Sequence, residues 1–257
     1  MKKWMLLIAL ALPFMTSAKA LNRISGYEDS YLLGSYTDSI NKDEYISGGF
    51  EDADGLQNVE VKFQFSLAVP IVQINNSTSF MFSYTQKSLW QLGNSEISSP
   101  FRETNYKPQF FVMHQSNMLI FNSAEFGYMH ESNGQTSSLS RSWDRIYGGL
   151  ERLDGPVQYG VRAWYVFSDE ENNEDINDFM APYDVWLKVG NDIGEFSTRF
   201  HYNFATDKGG VEAAYTLYVN QFVGLYVQGW TGYGETLIDY NYDHSRIGIG
   251  MRLLPPN

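Results

Sequence analysis

In the stretch Tyr128-Met129-His130-Glu131-Ser132-Asn133-Gly134 a histidine and a serine stand two residues apart. Side chains of an extended chain alternate between faces, so Ala124, Phe126, Tyr128, His130 and Ser132 share one side. Ser123, Glu125, Gly127, Met129 and Glu131 share the other. A base beside a hydroxyl nucleophile is the core of acyl-transfer chemistry, and a third group that holds the base completes it. Such a group follows in the chain. The loop Asn133 to Leu139 leads into Ser140-Arg141-Ser142-Trp143-Asp144. A hairpin roughly symmetrical about Ser137 sets Ser132 opposite Ser142 and His130 opposite Asp144, on the outer face that also carries Ile146 and Leu150. Without further support the pair carries little weight, because a histidine on an apolar strand face is more often a satisfied interfacial residue than a base. His114, His201 and His244 show no comparable partners and read as girdle, lumen and loop residues.

The face that carries His130 and Ser132 is the apolar one. In a soluble protein it would be core; in a transmembrane barrel it faces lipid. The rest of the chain favours the barrel. Val59, Val61, Phe63, Phe65, Leu67 and Val69 alternate with Glu60, Lys62, Gln64, Ser66 and Ala68. The same alternation runs through residues 196–204, 211–219 and 246–253. Candidate strands lie near 30–37, 59–73, 78–92, 105–115, 117–132, 140–153, 157–168, 180–191, 193–206, 209–219, 221–234 and 244–254. Twelve is an even number, as a closed antiparallel bacterial barrel requires. Short connections such as 206–209 alternate with longer polar ones such as 168–175. The expected fold is therefore all-β: a twelve-stranded antiparallel transmembrane β-barrel over residues 21–257, of which 21–29 form a short leader. A soluble β-sandwich, which also alternates, is the competing fold.

Residues 1–20 read as a signal peptide: Lys2 and Lys3, an apolar run from Trp4, then Ala18-Lys19-Ala20 as the cleavage site. The whole chain carries a formal charge of −12; losing Lys2, Lys3 and Lys19 leaves 15 basic against 30 acidic residues, or −15. That balance argues against nucleic acid and favours cations. No other segment approaches the 18 or so continuous apolar residues of a spanning helix. Aromatic residues nonetheless make up 16% of the chain, as the girdles of an outer-membrane barrel require. The absence of cysteine means that no disulfide framework supports the exported domain.

Several of these stretches carry a family resemblance. His130-Glu131-Ser132-Asn133-Gly134, Ser140 to Arg145, Tyr84-Thr85-Gln86-Lys87-Ser88, Ser98 to Tyr106, Gly232 to Glu235 and Leu237 to Tyr240 resemble, in order, the motifs of bacterial outer membrane phospholipase A. The resemblance spans essentially all of the mature chain. It implies a twelve-stranded barrel in the Gram-negative outer membrane. It also implies hydrolysis of phospholipid acyl esters at both glycerol positions and in lysophospholipids, with calcium (Ca2+) as cofactor and a homodimer as the active form. Carried over by position, His130 is the general base, Ser132 the nucleophile, and Asp144 stands where the family commonly has asparagine, keeping an oxygen for the imidazole but adding a charge. The implied calcium ligands are the Ser140 hydroxyl, the Gln135 carbonyl and the Ser98 carbonyl of a partner subunit. Asn172 stands where the family has a second calcium contact, with Glu171 as a possible substitute. The Ser132 backbone N–H is a candidate oxyanion donor. Gln86 falls on the lipid face, where the family counterpart lies in the dimer interface. The competing functions are a non-enzymatic porin or adhesin, which needs no polar trio on its lipid face, and a lipopolysaccharide deacylase.

Overall fold

The computed structural model describes residues 24–116, 120–169 and 172–254, so the expected signal peptide lies outside the described residues. Twelve strands follow one another: β1 (Ser30–Thr37), β2 (Val59–Asn75), β3 (Thr78–Trp90), β4 (Phe101–Gln115), β5 (Ser123–Ser132), β6 (Ser142–Arg152), β7 (Val157–Asp169), β8 (Tyr183–Gly190), β9 (Gly194–Asn203), β10 (Lys208–Tyr218), β11 (Val223–Gly232) and β12 (His244–Leu253). Each pairs antiparallel with its sequence neighbours, and β1 pairs with β12 to close the barrel. Closure leaves no strand edge, and in hydrocarbon, where no water can satisfy a free N–H or C=O, only such an arrangement of strands is viable.

The alternation runs inside out. Val59 and Ile249 are 63% and 66% exposed, whereas Glu60 and Lys62 on the opposite face are 2% and 1% exposed. A β-sandwich would cover its apolar faces, so that alternative is excluded. The long connections gather at one rim, between β1 and β2, β3 and β4, β5 and β6, β7 and β8, and β11 and β12; the turns at the other rim are short.

Three strand starts differ most from the sequence reading. β4 begins at Phe101 rather than near 105, because a bulge opposite Leu89 and Trp90 turns both Arg102 and Glu103 inward and breaks the alternation. β5 begins at Ser123 rather than 117, after a turn in which the Asn122 side chain accepts the Leu153 N–H at 2.9 Å. β8 starts at Tyr183, because a short helix, α2 (Ile176–Phe179), lies just before it.

Charge fills the lumen, and much of it is paired there. Below the long loops Arg102 meets Glu60 (2.7 Å) and Asp239 (3.0 Å), Arg246 meets Glu60 (2.9 Å) and Glu235 (2.8 Å), and Lys62 meets Glu235 (2.8 Å). Glu235 to Tyr240, in the β11–β12 loop, are all buried. Burial alone would raise the Glu235 pKa, but Arg246 and Lys62 outweigh it and hold the carboxyl well below the usual range. Losing one member of such a buried cluster leaves an uncompensated charge, which is strongly destabilising. Toward the short-turn rim the leader supplies the charge. Glu28 binds Lys107 (2.7 Å), Asp29 binds Lys188 and Arg252 (2.8 Å each), and the Tyr27 hydroxyl donates to Glu125 (3.0 Å). The expected leader is thus tied into the barrel wall from within.

Candidate active site

β5 and β6 pair with His130 opposite Asp144 and Ser132 opposite Ser142, the register that hairpin symmetry predicts. His130 Nδ1 lies 2.8 Å from Asp144 Oδ1, and the Tyr128 hydroxyl donates to that same oxygen at 2.6 Å. The histidine and aspartate side chains, 33% and 23% exposed, are partly accessible on the outer wall. An Nδ1–H held by a carboxylate fixes the ring and its tautomer and leaves the Nε2 lone pair free to take a proton. Ser132 stands two residues along on the same face. No hydrogen bond joins its hydroxyl to His130 among the described residues; such bonds often tighten only when substrate arrives.

Tyr128 escaped the sequence reading as a partner of Asp144. Its signal was there: it is the residue two before His130 on the same face, next to the aspartate across the pair. Its ring also packs against Phe167, with centroids 6.1 Å apart.

The inward side chains of the same strands hold the hairpin. Glu131 accepts from Trp143 Nε1 (3.1 Å) and from Arg145, whose guanidinium stacks 3.6 Å from the Trp143 ring. Beyond Ser132, the buried Asn133 ties the loop across itself. Its Oδ1 accepts the Arg141 and Gln135 N–H groups (3.0 and 3.3 Å), and its Nδ2 donates to the Leu139 carbonyl (2.8 Å). Gly134 has φ 64°, and a Cβ there would lie 3.1 Å from the Tyr106 ring, so a side chain would meet both backbone strain and crowding. At the start of β6 the Asn173 amide satisfies both backbone groups of Ser142, accepting its N–H (3.1 Å) and donating to its carbonyl (3.0 Å).

Two of the four positions implied for calcium, Gln135 and Ser140, fall on this loop. Asn172 Nδ2 donates to the carbonyls of Ser137 (3.0 Å) and Ser140 (3.4 Å), so Asn172 and Ser140 are brought together. The Ser140 hydroxyl has no hydrogen bond among the described residues. Gln135 is exposed at the loop tip, and Ser98 sits exposed in the β3–β4 loop with φ 63°. Glu171 lies outside the described residues. No group of three or more His, Cys, Asp or Glu side chains gathers as a metal site among the described residues. Hydroxyl, carbonyl and amide oxygens, with water, are nonetheless the hard donors that suit calcium, so the residues present fit it.

Gln86 does face outward, and it is not bare. Its Oε1 accepts from Tyr84 (3.1 Å) and its Nε2 donates to Ser88 (3.3 Å), which offsets part of the penalty of an amide in hydrocarbon. The reading of the other histidines needs correction. His244 Nε2 is 2.7 Å from the buried Glu235 carboxylate, inside the barrel and not in a loop, and His114 Nδ1 is 2.9 Å from the Thr78 hydroxyl at the rim. His201 is buried on the lumen side, as expected. The His244 partner lies nine residues back in the β11–β12 loop, where strand alternation gives no guidance.

Residues 14–253 match the sequence model of the phospholipase A1 family. Phospholipase A1 of Proteus vulgaris and that of Escherichia coli strain K12 are each 40% identical to the chain over 235 residues, 88% of this chain and 80% of theirs. The solved outer membrane phospholipase A of Escherichia coli superposes with a TM-score of 0.86 at 38% identity, covering 90% of this chain and 98% of that one. It has also been solved as an active-site mutant in which an asparagine becomes alanine. The outer membrane phospholipase of Salmonella typhi, a dimer with bound calcium, superposes equally well at 37% identity, covering 89% and 91% of the two chains. With the closed twelve-stranded wall, these likenesses place the chain in the phospholipase A1 family, as an enzyme of the outer membrane.

Proposed function

We propose that the chain hydrolyses the acyl esters of membrane phospholipids at both glycerol positions, and of lysophospholipids, with calcium and as a homodimer. Ser132, His130 and Asp144 would carry the reaction on the lipid-facing side of the barrel. The observation that carries this reading is the outward-facing His130–Asp144 hydrogen bond beside Ser132. A pore or an adhesin has no use for an oriented imidazole on its lipid face.

The Ser132 hydroxyl attacks the ester carbonyl as its proton passes to His130 Nε2, while Asp144 and Tyr128 keep the ring in place. The imidazolium then returns that proton to the departing glycerol oxygen. Water, activated by the same nitrogen, cleaves the acyl-serine and restores the hydroxyl. The Ser132 N–H is the donor proposed for the oxyanion. Ser140, Gln135 and Asn172, with the Ser98 carbonyl of a second copy, would hold calcium, which when bound supplies positive charge for that oxyanion. The homodimer reading draws support from the Salmonella typhi dimer and from the outward polar row of Tyr84, Gln86, Ser88 and Thr104. Residues 1–20 would be removed on export, leaving 21–257 as the mature barrel.

The test is acyl release from mixed phospholipid micelles by refolded protein, with calcium and with a chelator. Chelation is expected to lower the rate by about 100-fold or more, the scale of losing an oxyanion stabiliser. An unaffected rate would remove calcium from the reading. Ser140→Ala, which deletes one hard ligand, is expected to raise the calcium midpoint of cross-linked dimer by roughly 3- to 10-fold, since ligands from two chains link binding to association. An unchanged midpoint would move the site elsewhere.

A further inference from the structure

Calcium at the proposed site would sit beside a permanent cation. Arg141 directly follows Ser140, and its Nη1 donates to the carbonyls of Ser138 (2.6 Å) and Ser140 (2.8 Å). The guanidinium therefore turns both carbonyls toward itself and leaves the Ser140 hydroxyl as that residue's unengaged oxygen. A fixed positive charge this close opposes a divalent cation unless something neutralises it.

Glu44 does so from another part of the chain. It lies on α1 (Lys42–Ser47), a six-residue helix in the long β1–β2 loop, and accepts from Arg141 Nη2 across a sequence separation of 97 residues. The Arg141 side chain is 4% exposed and that of Glu44 is 24%, so the pair is only partly screened by water. Packing fixes the approach. Leu139 leans on the cluster of Ile40, Tyr45, Ala53, Leu56 and Ile238. Gly48 leaves it room, since a Cβ there would sit 2.3 Å from Leu139 Cδ2.

We propose that Glu44 is a positioning residue for the calcium site, neutralising the Arg141 guanidinium that shapes the Ser138–Ser140 turn so that a divalent cation can bind next to it. This rests on the calcium reading above. The β1–β2 loop thereby sets the calcium affinity of a hairpin far away in sequence.

The test compares full-length wild type, Glu44→Gln and Glu44→Asp, refolded in micelles, by calorimetric titration with calcium alone and by the calcium midpoint of cross-linked dimer. Glutamine keeps an oxygen for Arg141 and removes only the charge. Glu44→Gln is expected to raise the midpoint roughly 3- to 10-fold at low ionic strength, with the gap narrowing in about 0.5 M KCl, where the Debye length is short. Glu44→Asp should return most of the affinity. The shift should appear in the midpoint and leave turnover at saturating calcium within about twofold of wild type. A Glu44→Gln midpoint equal to wild type, or one unmoved while saturated turnover falls, overturns the proposal. A wild type that ignores calcium in the titration overturns the calcium reading itself.

Discussion

Ser132→Ala is expected to lower acyl release by about 10,000-fold or more, because it removes the proposed nucleophile while leaving the proposed base and its carboxylate partner where they are. The replaced hydroxyl makes no hydrogen bond among the described residues, so its loss should not disturb the barrel. Heat-modified gel mobility, which reports barrel folding, should match wild type. The remaining rate would come from His130 acting on water and from substrate binding. Near-normal turnover by a folded Ser132→Ala protein would rule Ser132 out as nucleophile. A variant that fails to fold can be replaced by Ser132→Gly, which removes the same oxygen.

Substitution of Asp144 should separate orientation from charge. Asp144 Oδ1 receives both the His130 ring nitrogen at 2.8 Å and the Tyr128 hydroxyl at 2.6 Å. Asparagine offers an oxygen in the same place, so Asp144→Asn is expected to stay within about tenfold of wild type. Alanine offers none. Asp144→Ala frees the ring to rotate and to adopt the other tautomer, and is expected to lose about 100-fold or more, the usual worth of a placed general base. Comparing turnover of the three proteins at saturating calcium decides it. Equal damage from asparagine and alanine would mean that Asp144 acts through its charge and not by accepting the ring N–H.

The alternation of Val59 to Val69 and of the later strands carries the architecture, since a period of two with one apolar face leaves few ways to satisfy a backbone in lipid. Hairpin register was legible for the same reason. Once Ser132 and Ser142 flank a short loop, His130 and Asp144 must meet. Residues that meet by other routes were not legible. Glu44 reaches Arg141, and Glu235 reaches His244, through loops that fold back over or into the barrel, where periodicity says nothing about neighbours. The start of β4 was hidden by a bulge that places two consecutive charged residues, Arg102 and Glu103, on one side. Tyr128 shows a subtler limit. Alternation gave its face and hairpin symmetry set Asp144 across the pair, but only the side-chain geometry shows the phenol turned to that carboxylate.

With His130 and Asp144 as the proposed catalytic pair, their position on the outside of the wall sets the units in which this enzyme meets its substrate. A molecule reaching it travels sideways in the bilayer plane, and the lumen, with its paired charges, offers no route. Encounter frequency then depends on the mole fraction of phospholipid in the surface, not on its bulk molarity. Diluting the lipid with inert detergent inside each micelle should slow turnover, whereas adding more micelles of fixed composition should not speed it once the protein is embedded. The relevant kinetics are those of a two-dimensional solvent that is itself the reactant.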